Sequence, residues 1–215
     1  MKAAATIRLL IFSIGFTMLL VVFRIFYSER LMYIFFAWNL FLACVPFVIS
    51  LIIVRVEKKY FQWILFAGWL LFFPNTLYIV TDLLHLKERY PVPLWFDVVL
   101  IFSAAINRLI LAFISMQYIE IFLKLNFNKS KTAMILSGCL LLGSFGVYLG
   151  RFLRWNSWDI LSNPSGLGYE IMQRFLNPLQ HPRTWGLTIV LTLFFNIFYF
   201  AIKEISTFKY ETNLV

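Results

Sequence analysis

Acidic residues are scarce in this chain. Ten Asp and Glu and two His are spread over 215 positions, and charged residues make up only 13% of the sequence. A soluble globular domain carries about a quarter of its residues as charges, so a water-facing surface along the whole chain is excluded. Cysteine is limited to Cys44 and Cys139, each inside an apolar run. That excludes a disulfide framework and a thiolate metal site, and it leaves two small packing residues. The GxSxG, P-loop, GxGxxG, CxxC and HExxH spacings are all missing. Positive grounds for a serine nucleophile, a bound nucleotide, dithiol redox chemistry or a zinc site are missing with them.

Apolar length is what the chain has instead. It is 61% hydrophobic, holds 25 Phe and has a mean hydropathy of +0.82, the composition of an integral membrane protein. The apolar runs are about twenty residues long and do not alternate with polar ones. Backbone polar groups must be satisfied inside the lipid, so such runs predict helices and exclude barrel strands. Six runs stand out, at residues 6–27, 31–54, 61–81, 93–123, 132–153 and 184–202. The expected architecture is therefore all-α: a polytopic transmembrane helix bundle of about six spans, forming one domain over residues 1–215. Lys2 and Arg8 flank the first run as in a signal peptide, but the run is too long and no small-residue cleavage pattern follows Arg24, so it reads as a retained span.

A formal charge of +9 raises nucleic acid as a partner. The basic residues lie in ones to threes at the ends of apolar runs, with no basic block or basic amphipathic helix. This is the pattern of topology signals and of contact with anionic head groups, so membrane lipids are the expected partners and nucleic acid is not. Arg55, Lys58 and Lys59 fall on the same side as Lys124, Lys129 and Lys131, with Lys2, Lys203 and Lys209. By the positive-inside rule both termini are then cytoplasmic. The one longer loop, residues 154–183, falls on the outer side and is rich in Asn, Pro, Gly and Trp. Loops of that length in a compact unit are usually functional or disordered.

The richest stretch is FPNTLYIVTDLLHL, residues 73–86, a membrane-grade run that carries Asn75, Tyr78, Thr81, Asp82 and His85. Ionisable groups in such a segment are functional-site candidates because exposing them to lipid is costly. The spacing of Asn75, Tyr78, Asp82 and His85, at i, i+3, i+7 and i+10, predicts a single helix that presents an amide, a phenol, a carboxylate and an imidazole in one column. Topology then brings other groups to the same outer face. These are Asp97 in the first turns of the fourth span, Arg151 at the end of the fifth, and Arg154, Asn156, Asp159 and His181 in the long loop. Asp82 lies at the negative end of its helix dipole and calls for a cation, for which Arg151 and Arg154 are candidates. A structural ion pair and a catalytic role both fit it. Asp97 fits a helix N-terminus without further purpose. Arg108 sits near mid-membrane and has to face the bundle or a wet cavity.

The segment GRFLRWNSWD, residues 150–159, admits two readings. Arg151, Arg154, Trp155 and Trp158 suit interfacial anchoring, while Arg151, Arg154, Asn156 and Asp159 also suit an anionic head group. Gly146 and Gly150 form a GxxxG that points to close helix packing. Asp82, His85, Asp97, Asp159 and His181 are ligand types that zinc or manganese accept, but no ligand spacing supports a metal, so none is assigned and the cofactor is left unknown.

WNLFLACVPF (38–47), WLLFFPNTLYIVTDLLHL (69–86), PLWFDVVL (93–100), YLGRFLRWNSWD (148–159) and HPRTW (181–185) resemble, in order, a bacterial membrane-protein family catalogued as domain of unknown function 1361. Its Pro-Asn-x-x-Tyr-x-x-Thr-Asp-Leu-x-His-Leu pattern is met by Pro74, Asn75, Tyr78, Thr81, Asp82, Leu83, His85 and Leu86. The resemblance implies fold and a bacterial inner-membrane location and carries no assigned reaction.

The leading expectation is a multi-pass protein with a polar site at the outer interface that binds or acts on a lipid or lipid-linked anionic group. Asp82, His85 and Asp97 are its acid–base candidates. Asn75, Tyr78, Arg151, Arg154, Asn156 and Asp159 are its ligand-binding candidates. A small transporter or channel lined by Asn39, Asn75 and Arg108 is one alternative, and a structural or assembly subunit is the other.

Overall fold

A computed structural model of the chain describes residues 2–82, 86 and 91–211. The described residues form helices and turns with no strand. They divide into two compact units, Met1–Phe122 and Leu123–Val215. Five helices, among the described residues, are long and apolar enough to cross a membrane: Ile7–Ser28, Ile34–Ile53, Leu94–Lys124, Lys129–Phe152 and Pro182–Ile205. The molecule is an all-α membrane protein.

In the first unit, α1 (Lys2–Ser28) is followed by a 3-10 turn (Leu31–Tyr33), α2 (Ile34–Ile53) and α3 (Lys59–Phe72). A second 3-10 turn (Phe73–Thr76), the single-turn α4 (Ile79–Asp82) and the long α5 (Leu94–Lys124) complete it. Glu29 closes α1 in the left-handed region, at φ 54°, a conformation that ends helices and usually falls to glycine. Leu20, Val21, Tyr33, Phe36, Leu100, Ile101 and Ala104 form one buried cluster, and Leu40, Ala43 and Leu111 another. Pro46 lies inside α2 and is buried, as membrane helices tolerate.

The third apolar run corrects an expectation. It is not one helix. Pro74 has no amide to donate to the carbonyl four residues back and clashes with it, so the α-helix stops at Phe72. Side chains then satisfy the backbone that the break frees. Asn75 Nδ2 donates to the Phe72 carbonyl at 3.0 Å, Thr76 Oγ1 to Phe73 at 2.7 Å, and Thr81 Oγ1 to Tyr78 at 2.9 Å. The column expected of Asn75, Tyr78 and Asp82 therefore does not form as a single helix face, and His85 lies outside the described residues.

In the second unit, α6 (Lys129–Phe152) and α9 (Pro182–Glu211) pack against each other. Asn128 caps α6 by accepting from the Lys131 amide at 2.9 Å. Between α6 and α9 run the short α7 (Asp159–Ser162), α8 (Pro164–Leu176) and a 3-10 turn (Pro178–Gln180). The long loop is thus largely helical. Arg154, at φ 63°, turns the chain out of α6, and the Trp155 amide reaches back to the Leu149 carbonyl at 3.1 Å.

Candidate functional site

Two buried ion pairs organise the first unit. Asp82, from α4, meets the guanidinium of Arg108, from the middle of α5, and both side chains are fully buried. Arg108 Nε also donates to the Ala104 carbonyl at 3.3 Å. Arg108 is thus a cation at Asp82 that the sequence reading, which pointed to Arg151 or Arg154, did not name. Arg108 faces the protein interior, as the cost of a charge in lipid demands.

Asp97 is held by α1. Arg24 Nε donates to Oδ1 at 2.6 Å and Nη2 to Oδ2 at 3.1 Å, while the Tyr33 hydroxyl donates to Oδ2 at 2.7 Å. The fork geometry is the strong form of an arginine–carboxylate contact, and the guanidinium lies 4.5 Å from the centre of the Tyr33 ring, close enough for a cation–π contribution. Neither Arg24 nor Tyr33 was a site candidate. The available signal was Arg24 itself, an arginine inside an apolar run that required a partner.

A third polar knot joins α1 to α5. Asn107 Nδ2 donates to Thr17 Oγ1 at 2.8 Å and to the carbonyls of Ser13 and Ser103 at 3.1 Å, and Thr17 and Ser103 share a hydrogen bond of 2.5 Å. Asn75, near the break after α3, donates its Nδ2 to the backbone, and Tyr78 is half-buried.

In the second unit, Asn156 and Asp159 form a local turn. The Asn156 amide donates to Asp159 Oδ2 at 2.6 Å, and Ser162 Oγ donates to Oδ1 at 2.9 Å. The Asn156 amide, with the Ser162 hydroxyl, holds the Asp159 carboxyl below its ordinary range. Asp159 therefore serves loop geometry. Arg151 is half-buried and Arg154 exposed, and His181 is half-buried beside the start of α9. Among the described residues no three His, Cys, Asp or Glu side chains cluster as a metal would need.

A cleft of about 580 Å³ opens between α6 and α9. Tyr148, Phe152 and Leu153 form one wall, and Arg183, Gly186, Leu187 and Val190 the other. Beside it, Phe145, Phe175 and Trp185 make a three-ring cluster with centroids 5.0–5.8 Å apart. The Trp185 indole donates to the Arg174 carbonyl at 3.1 Å. Arg174, 5% exposed, pairs with Glu170, and its guanidinium lies 5.8 Å from the centre of the Tyr148 ring. Tyr148, Arg174, Arg183 and Gly186 had no place among the candidates. HPRTW carried part of the signal, but a cleft depends on what is absent between two helices.

The profile of the family described as "Protein of unknown function (DUF1361)" matches residues 38–198. The chain belongs to this family. The DUF1361 match spans Asp82, Asp97, Arg108 and every residue of the α6–α9 cleft, whereas Arg24 and Tyr33 precede it. No curated protein and no solved structure matches the chain.

Proposed function

We propose that this DUF1361 protein binds, or acts on, a lipid or lipid-linked molecule with an anionic head group, at the outer interface of a bacterial inner membrane and with both termini cytoplasmic. The cleft between α6 and α9 carries the reading. Its volume, about 580 Å³, is in the range of small-molecule sites, roughly 300–1,000 Å³. Phe152, Leu153, Leu187 and Val190 offer an apolar wall for a tail, and Arg183 and Tyr148 offer a cation and a phenol for a head. Arginine supplies the fork that phosphate and carboxylate accept. Arg183 also lies in the first turn of α9, where the helix dipole favours negative charge. Arg151 and Arg154 add positive charge at the end of α6.

The test counts lipids retained by the protein in nanodiscs of phosphatidylcholine doped with phosphatidylglycerol, by native mass spectrometry. Arg183→Gln is expected to lower phosphatidylglycerol retention about tenfold, the worth of one charge-assisted hydrogen bond, and to leave phosphatidylcholine unchanged. A Cβ at Gly186 would meet nothing within 4 Å. Gly186→Leu therefore fills the cleft without backbone strain and should lower retention of both lipids at unchanged helicity. Full retention in Gly186→Leu would remove the cleft from the reading.

A second reading, that the first unit is a structural scaffold, has its own support. Asp82, Asp97 and Asn107 all face partners on other helices. Acid–base work by Asp82 and Asp97, and a conducting path past Arg108, are less well supported by side chains tied in this way.

A further inference from the structure

We propose that α8 lies in the plane of the membrane, with Tyr169, Met172, Phe175 and Leu176 seated in lipid at the boundary between head groups and acyl chains. The helix has 13 residues and is about 20 Å long at 1.5 Å per residue, too short for a hydrocarbon core of about 30 Å. Its exposed residues are Pro164, Ser165, Gly168, Tyr169, Met172, Phe175 and Leu176, the three- and four-residue spacing of one helix face. That face is apolar where it should be polar in water. Tyr169 is 61% exposed, Met172 56%, Phe175 56% and Leu176 68%, and Leu179, just beyond the helix, is 94% exposed.

The charges of α8 point the other way. Arg174 is buried and paired with Glu170, so the helix is turned inside out relative to one that faces water. Its ends are tethered close to two membrane-crossing helices, α6 ending at Phe152 and α9 starting at Pro182, which fixes it near their common end. Phe175 and Trp185 and the bond from the Trp185 indole to the Arg174 carbonyl hold it there. The surrounding charge suits an anionic lipid surface: residues 151–183 carry Arg151, Arg154, Arg174 and Arg183 against Asp159 and Glu170. Trp158, 42% exposed, is of the type that gathers at this depth. The inference stands apart from the α6–α9 cleft and whatever it binds.

The experiment places nitroxide labels at Met172→Cys and Leu176→Cys, with Ser165→Cys for comparison, in a Cys44→Ala, Cys139→Ala background reconstituted in vesicles of phosphatidylcholine and phosphatidylglycerol. Relaxation by oxygen should exceed relaxation by water-soluble nickel chelate at 172 and 176, at a depth of about 5–10 Å below the phosphates. Greater relaxation by the nickel chelate at both positions would overturn the proposal, since the face would then be in water. Exclusion of both reagents, with spin–spin broadening that vanishes on dilution with unlabelled protein, would overturn it in favour of a second copy of the chain. The unaltered protein supplies an independent reading by hydroxyl-radical footprinting. In vesicles Met172 should resist oxidation to the sulfoxide, and modification of Met172 there, at the level seen in unfolded chain, would count against lipid burial.

Discussion

A carboxylate and a guanidinium sealed together have to be treated as one group. Asp82 and Arg108 are each fully buried, so removing either charge strands the other where solvation is costly. Asp82→Leu or Arg108→Met alone is expected to cost about 3–5 kcal/mol, whereas the two together should be close to neutral. Thermal unfolding in detergent, arranged as a double-mutant cycle, measures the difference. Additive losses would show that the pair is not an energetic unit. The sequence marks both residues as costly, and it cannot reveal that they meet. Asp97 and Asn107 have partners more remote still, 73 residues away for Arg24 and 94 for Ser13. Pairing across such separations is decided by which helices pack, and local spacing holds no record of that.

At the scale of the element, hydropathy located every long helix because length and apolarity are summed over many residues. It missed the break after α3 because one imino acid decides it. Pro74 was in plain view, yet an apolar window averages over it. The same segment shows why polar residues there are not by themselves a catalytic signal: Asn75 and Thr76 serve the Phe72 and Phe73 carbonyls, which the amides of residues 76 and 77 would reach in a continuing helix. Asn75→Leu should therefore cost about 1–3 kcal/mol, the penalty of an unsatisfied buried acceptor. In the Pro74→Ala background the cost should shrink, because a continuing helix lets the residue 76 amide serve the Phe72 carbonyl. An undiminished cost in that background, by thermal unfolding, would argue that Asn75 has another duty.

At the scale of the whole molecule, the charge distribution and the count of crossings can be set against each other. Five long helices alone would carry the two termini to opposite sides. The proposed orientation, in which the basic residues at 55–59, 124–131 and both ends share one side under the positive-inside rule, requires the broken segment 59–82 to count as a crossing. Reporters that fluoresce only in the cytoplasm, fused to either terminus in turn, should both be bright. One dark terminus would mean that the segment enters the membrane and returns. Membrane residence and helicity were legible because they are bulk properties of the chain. The α6–α9 cleft was not, since Gly186, Tyr148 and Arg183 define it only by the space they leave.

Trp185 touches both features of the second unit. It lies between Arg183 and Gly186 of the cleft wall, and its ring and indole hydrogen grip Phe175 and Arg174 of α8. One side chain therefore acts as a coupling pin: a shift of the surface helix has to be answered at the first turn of α9, and the mouth of the cleft cannot change width without the bilayer-facing helix registering it.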